Sequence, residues 1–117
     1  MNKLRTTENN GLVFWCPGCD MAHRIQYGHG DRPRWTWNND SVNPTINPSI
    51  LVRWEQWEPP ATTPEIREAI KEGKIVQTCV KKVCHSFIKN GKIEYLNDCT
   101  HQLAGKTVDL SDWNDNY

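Results

Sequence analysis

Cys16-Pro17-Gly18-Cys19 puts two thiols at the ends of a tight turn. Further candidate ligands return far downstream, at Cys84-His85 and at Cys99-Thr100-His101. No other feature constrains the fold as strongly. Zn²⁺ takes four ligands in a tetrahedron and prefers thiolate and imidazole. The Pro-Gly turn aims two sulfurs at one point, so the downstream cluster must fold back to that point. The expected cofactor is therefore Zn²⁺, holding together two segments distant in sequence.

The composition gives a metal cross-link something to do. Apolar residues make up only 37% of the 117 residues, and six tryptophans carry much of the bulk. Structural zinc supplies roughly 10 kcal/mol or more of binding free energy coupled to folding, which offsets a thin core. The length fits one domain, residues 1–117, in the common size range. Lys plus Arg and Asp plus Glu stand at 14 each. That balance weighs against non-specific nucleic-acid binding, which rests on an excess of cations. A local patch of Arg32 and Arg34 beside Trp35 and Trp37 keeps a nucleic-acid reading as the less favoured alternative. Five cysteines form an odd count, the N-terminal residues are polar, and no run is long and apolar enough to span a bilayer. These point to reduced thiols in a cytoplasmic compartment and away from a membrane.

Patterning predicts mostly β structure. Strands are expected over residues 11–15 and 22–27, entering and leaving the CPGC turn, and over 34–38, 49–54, 74–80, 84–88, 92–97 and 107–110. The first ten residues read as frayed and residues 55–62 as a Pro-rich connector. One helix follows, with Thr63 as N-cap, Pro64 at its first position and Gly73 at its end. Its stripe of Ile66, Ala69 and Ile70 is narrow, so the helix reads as peripheral, within an insertion at about 55–83. The expected fold class is a small, zinc-ribbon-like antiparallel β domain with one peripheral helix (mostly β, α+β).

Asn90-Gly91 is a strong hairpin signal. With a two-residue turn Cys84 faces Asn97, and Cys99 lies one diagonal step beyond on the same face. Cys16, Cys19, Cys84 and Cys99 would then complete a Cys₄ site. A three-residue turn gives instead a mixed site drawing on Cys99, His85 and His101. His23, four residues after the knuckle, is a further ligand candidate or a hydrogen-bonding neighbour of the ligands. Cys79 reads as a buried, inert thiol.

Two kinds of function compete. The chain is expected to hold no Ser-His-Asp arrangement, phosphate loop, HExxH or deaminase motif. Their absence favours a binding module over an enzyme. If the cysteines take the metal, His23, His85, His101 and Asp98 remain as an acid/base cluster for a hydrolase or transferase. Trp35, Trp37 and Trp57 are the candidate partner contacts, although a domain short of aliphatics also needs tryptophan as core.

Phe14-Trp15-Cys16-Pro17-Gly18-Cys19 with His23, Trp35-Thr36-Trp37-Asn38, residues 44–53, Cys84-His85-Ser86-Phe87-Ile88 and residues 98–105 form a set. Together they resemble a family of small phage and prophage proteins of unknown function, some of whose members carry the label "ammonia monooxygenase". The resemblance covers nearly all of the chain outside about 55–83. It implies a zinc-binding, mostly β protein of mobile-element origin, acting on a host or phage protein as an accessory module. It implies no oxygenase, because the chain lacks that enzyme's membrane helices.

Overall fold

The computed structural model describes residues 2–31 and 33–114, so Arg32 lies outside the described residues. The chain forms β1 (Leu4–Thr7), β2 (Gly11–Cys16), β3 (Met21–Gln26), β4 (Thr36–Trp37), β5 (Ile46–Glu58), α1 (Pro64–Lys71), β6 (Thr78–Lys89), β7 (Lys92–Tyr95) and β8 (Thr107–Asp109). The fold is mostly β, as expected. Its strands make two antiparallel sheets, ordered β1-β2-β3 and β4-β5-β6-β7-β8, where a single ribbon was anticipated.

Each sheet buries one face. Leu4, Leu12, Phe14, Cys16 and Ile25 from the first meet Ile46, Ile50, Cys84, Ile88, Ile93 and Tyr95 from the second in one cluster. Period-two alternation selects these residues, since side chains at i and i+2 share a face. The aromatic supplement is real: Trp35, Trp37 and Trp54 pack half-buried against this core.

The hairpin has the two-residue turn. Lys89 pairs Lys92, Ile88 pairs Ile93 and Ser86 pairs Tyr95, with Asn90 at φ 50° and Gly91 at φ 77°. Both turn residues are left-handed, the geometry that matches the twist of the flanking strands and favours Asn-Gly. The three-residue alternative is not adopted.

Three elements depart from expectation. The N-terminus is not frayed: β1 pairs along β2, and Leu4 sits opposite Phe14 at 2% exposure. One buried leucine in a polar run gives no periodic signal, and pairing alone supplies the rest. Strand β5 runs on to Glu58, through half of the anticipated connector. It stays in register with β6 from Ile50–Ser86 to Glu58–Thr78. Finally, β6 is one strand of 12 residues, starting at Thr78, not two segments. The helix is as read, with the Thr63 Oγ1 accepting from the Ile66 N–H at 3.2 Å and no buried residue.

Candidate metal centre and serine triad

The β2–β3 hairpin closes on the CPGC turn, which delivers Cys16 and Cys19 to the inner face of the larger sheet. There Cys16, Cys19, His23 and Cys84 bring one ligand atom each within 4.8 Å of one another. This cluster can hold a metal ion. The Cys16 and Cys84 sulfurs are 3.8 Å apart, matching the edge of about 3.8 Å for a tetrahedron with metal–sulfur bonds near 2.3 Å. His23 is 5% exposed, and its Nε2 has no hydrogen-bond partner. A buried, unpaired ring nitrogen is costly, and coordination would remove that cost.

The thiols perturb one another. Cys16 is held well below the usual thiol range, by hydrogen bonds from Cys19, then Cys84. In return Cys19 is pushed up to about 12, chiefly through its bond to Cys16. Cys84 is raised as well, by its hydrogen bonds to Cys16 and Cys19. One thiolate thus collects the donors of its neighbours, as crowded like charges require. The Tyr95 hydroxyl lies 3.1 Å from the Cys16 sulfur and accepts from the Gly18 N–H at 3.0 Å. Burial, then the Cys16 contact, raises the Tyr95 pKa.

The other ligand candidates are near but differently engaged. Cys99 groups with Cys84 and His101 within 4.8 Å. Its sulfur also accepts from the His85 N–H at 3.2 Å. The His101 ring lies across the knuckle, where a Cβ on Gly18 would meet it and force the ring to shift. Burial lowers the His101 pKa. Cys79, expected to be buried, is exposed, because it sits on the outer face opposite Trp57.

His85 points the other way. Residues 84 and 85 alternate across β6, so Cys84 enters the core and His85 faces out. On that outer face the His85 Nε2 lies 3.0 Å from the Ser49 Oγ, and its Nδ1 lies 3.1 Å from the Asp98 Oδ2. This is a Ser-His-Asp chain in the order that activates a hydroxyl. The reading that no such arrangement exists is therefore corrected. So is the grouping of His23, His85, His101 and Asp98 as one acid/base cluster. His85 and Asp98 pair outside, whereas His23 packs inside against Phe14 and His101 against Tyr95.

Local structure explains the display. Between Ile46–Ile88 and Ile50–Ser86 the ladder shifts, so Asn47, Pro48 and Ser49 face Phe87 alone. Such a bulge bends the strand and re-aims its side chains. The Ser49 carbonyl accepts from the Trp35 indole N–H at 3.1 Å. Asp98 is carried by the segment after β7, which is tied to β6 on both sides of it. The Leu96 N–H donates to the His85 carbonyl at 2.9 Å, and the Thr100 N–H to the Val83 carbonyl at 2.9 Å.

Ser49 carries no motif such as GxSxG, so nothing in the sequence singled it out. The one available signal is alternation, which puts it on the polar face of β5 with Leu51 and Arg53. Of the candidate partner contacts, Trp35 and Trp37 are half-buried and Trp57 is 58% exposed. No helix among the described residues is long and apolar enough to cross a membrane.

No curated protein and no solved structure matches the chain. A family model does, over residues 2–96, described as "Bacterial ubiquitination-like system serine protease (BubE)". That span holds Ser49, His85, both knuckle cysteines and Cys84, and stops just short of Asp98. The chain belongs to the BubE family.

Proposed function

We propose that this protein is a serine peptidase of a bacterial ubiquitination-like system, cutting a peptide or isopeptide bond in a protein that carries a ubiquitin-like modifier. The observation that carries this reading is the hydrogen-bonded chain Ser49–His85–Asp98, at 3.0 Å and 3.1 Å. The serine-protease description of the family supports it.

The roles follow from the geometry. The Ser49 Oγ attacks the scissile carbonyl while its proton passes to the His85 Nε2. Asp98, bonded to Nδ1, holds the ring in the tautomer that leaves Nε2 free to accept and stabilises the imidazolium that forms. As the tetrahedral intermediate collapses, His85 returns the proton to the leaving amine. Water then attacks the acyl-Ser49 ester with His85 as base, releasing the acid and restoring the hydroxyl.

Zinc in a Cys₃His set of Cys16, Cys19, His23 and Cys84 is the metal reading that fits best, with Cys99 adjacent to it. Four protein ligands leave no open position, so the metal would be structural. It would fix β6, which carries both Cys84 and His85. A host or phage protein then enters as substrate, not as the target of a passive binding module. The mobile-element origin implied by the sequence resemblance is compatible with that role.

The test is a fluorophosphonate probe, with the labelled peptide identified by mass spectrometry. Labelling confined to Ser49, and lost in His85→Ala, is the expected result. A folded, metal-loaded protein that takes no label at Ser49 removes the peptidase reading.

A further inference from the structure

The outer edge of β5 is open where it leaves Ser49. In the five-stranded sheet β5 pairs with β6 along its length, but on its other side β4 pairs only with Ile46 and Asn47. No strand among the described residues continues that pairing along Leu51, Arg53 and Glu55. An unpaired edge presents rows of N–H and C=O groups ready to accept another strand.

Which groups face outward can be worked out. In an antiparallel pair a residue turns both its N–H and its C=O toward one side, and successive residues alternate. The His85 N–H donates to Cys99 and its carbonyl accepts from Leu96, so both groups turn away from β5. Its cross-strand partner Leu51 therefore belongs to a non-hydrogen-bonded pair and turns its own groups away from β6. The same holds one step on, where Val83 bonds Thr100 through both its N–H and its carbonyl, freeing its partner Arg53. The Ser49 carbonyl, which meets the Trp35 indole, and the Asn47 carbonyl, which meets the Thr36 hydroxyl on β4, confirm the phase.

The triad fixes where the substrate stands. The Ser49 Oγ surrenders its proton toward His85, which lies on the β6 side. The carbonyl under attack must then approach from the opposite side, over the open edge. We propose, building on the peptidase reading, that the substrate segment N-terminal to the scissile bond binds as an added antiparallel strand along Leu51, Arg53 and Glu55. A strand antiparallel to β5 runs toward Ser49, so its carbonyl end arrives at the nucleophile. Residues beyond the scissile bond meet Trp35 and β4 and must leave the edge. Leu51, 45% exposed and beside His85, flanks the residues nearest the cut. The enzyme accordingly selects an extended acyl segment and is tolerant of the leaving group.

Diphenyl phosphonates, which phosphonylate an activated serine, test this by inactivation rate. A randomised tetrapeptidyl phosphonate mixture is compared with a single-residue phosphonate, and with the same tetrapeptides N-methylated on the two amides before the reactive residue. With two or more added backbone hydrogen bonds, the tetrapeptides should react at least about tenfold faster than the single residue. N-methylation should erase most of that gain. Arg53→Pro should erase it too, since it removes an outward N–H on which the added strand would bond. Equal rates for the methylated and unmethylated tetrapeptides on the wild-type protein overturn the proposal, whatever the variant does. Equal rates for long and short probes overturn it also, while Ser49 labelling by the fluorophosphonate would leave the peptidase reading standing. If neither reagent class labels Ser49, both readings fall together.

Discussion

Cys84 and His85 are neighbours on one strand, yet they serve opposite faces of the sheet. Cys84 is 1% exposed and lies among thiols, an unpaired imidazole and a tyrosine hydroxyl. His85 stands on the open side, between a serine and a carboxylate that is 56% exposed. The inner region is a largely buried cluster that can hold a metal ion; the outer region is a hydrogen-bonded chain on the exposed face of the sheet. Strand alternation alone achieves the separation. It also couples the two, because whatever fixes Cys84 fixes the backbone of His85. Asp98 repeats the pattern, since it precedes Cys99, whose sulfur holds the His85 N–H.

The largest expected effect tests that coupling. Cys16→Ser removes a thiolate from the inner set. Metal binding on the order of 10 kcal/mol is coupled to folding, so metal content should fall to background and the thermal transition should disappear. Reaction at Ser49 should vanish with them. Stoichiometric metal and an unchanged Tm in this variant would break the comparison at its inner half.

Next in size is Ser49→Ala, which should divide the two regions cleanly. Hydrolysis should drop by at least about 10⁴-fold, while metal content and Tm stay at the wild-type values. Residual hydrolysis within tenfold of the wild type would place the nucleophile elsewhere.

A smaller effect sharpens the account of the inner region. Tyr95→Phe deletes a hydroxyl that sits 3.1 Å from the Cys16 sulfur. Hydrogen-bonding partners of metal ligands typically contribute 10–100-fold in affinity, and chelator competition should show a loss of about that order. Reaction at Ser49 in saturating zinc should be unchanged, because Tyr95 faces the core. An affinity equal to wild type would mean that the hydroxyl serves packing alone.

The smallest effect is a control on the outer face. Cys79→Ala should retain full metal and shift stability by no more than about 0.5 kcal/mol, since this thiol is exposed and far from the cluster along β6. Loss of metal would require a redrawn ligand set.

The legible parts of this molecule are those encoded over a few residues. The CPGC turn, the Asn90-Gly91 hairpin and the Thr63-Pro64 helix start each depend on local dihedral preferences and spacing, and each appears as the sequence predicts. His85 and Asp98 were singled out by type and by nearness to Cys84 and Cys99. Their supposed companions lie elsewhere, His23 on β3 against Phe14 and His101 after β7 against Tyr95, because residues close in sequence or metal context can face opposite sides of a sheet. Ser49 escaped notice because Ser41, Ser86 and Ser111 are equally plain serines.

The sequence by itself therefore determined a mostly β chain, a thiol-rich centre and the place of the Asn90-Gly91 turn. Only the tertiary structure decided which serine meets His85, that Leu4 closes the core, and that β5 keeps an open edge beside Ser49. The physical reason is range. Turns, caps and alternation act between residues a few positions apart, whereas the triad joins Ser49 to His85 and His85 to Asp98 across a bulge, a ladder and a clamped loop. Their distances are set by packing between sheets, and no local preference encodes them.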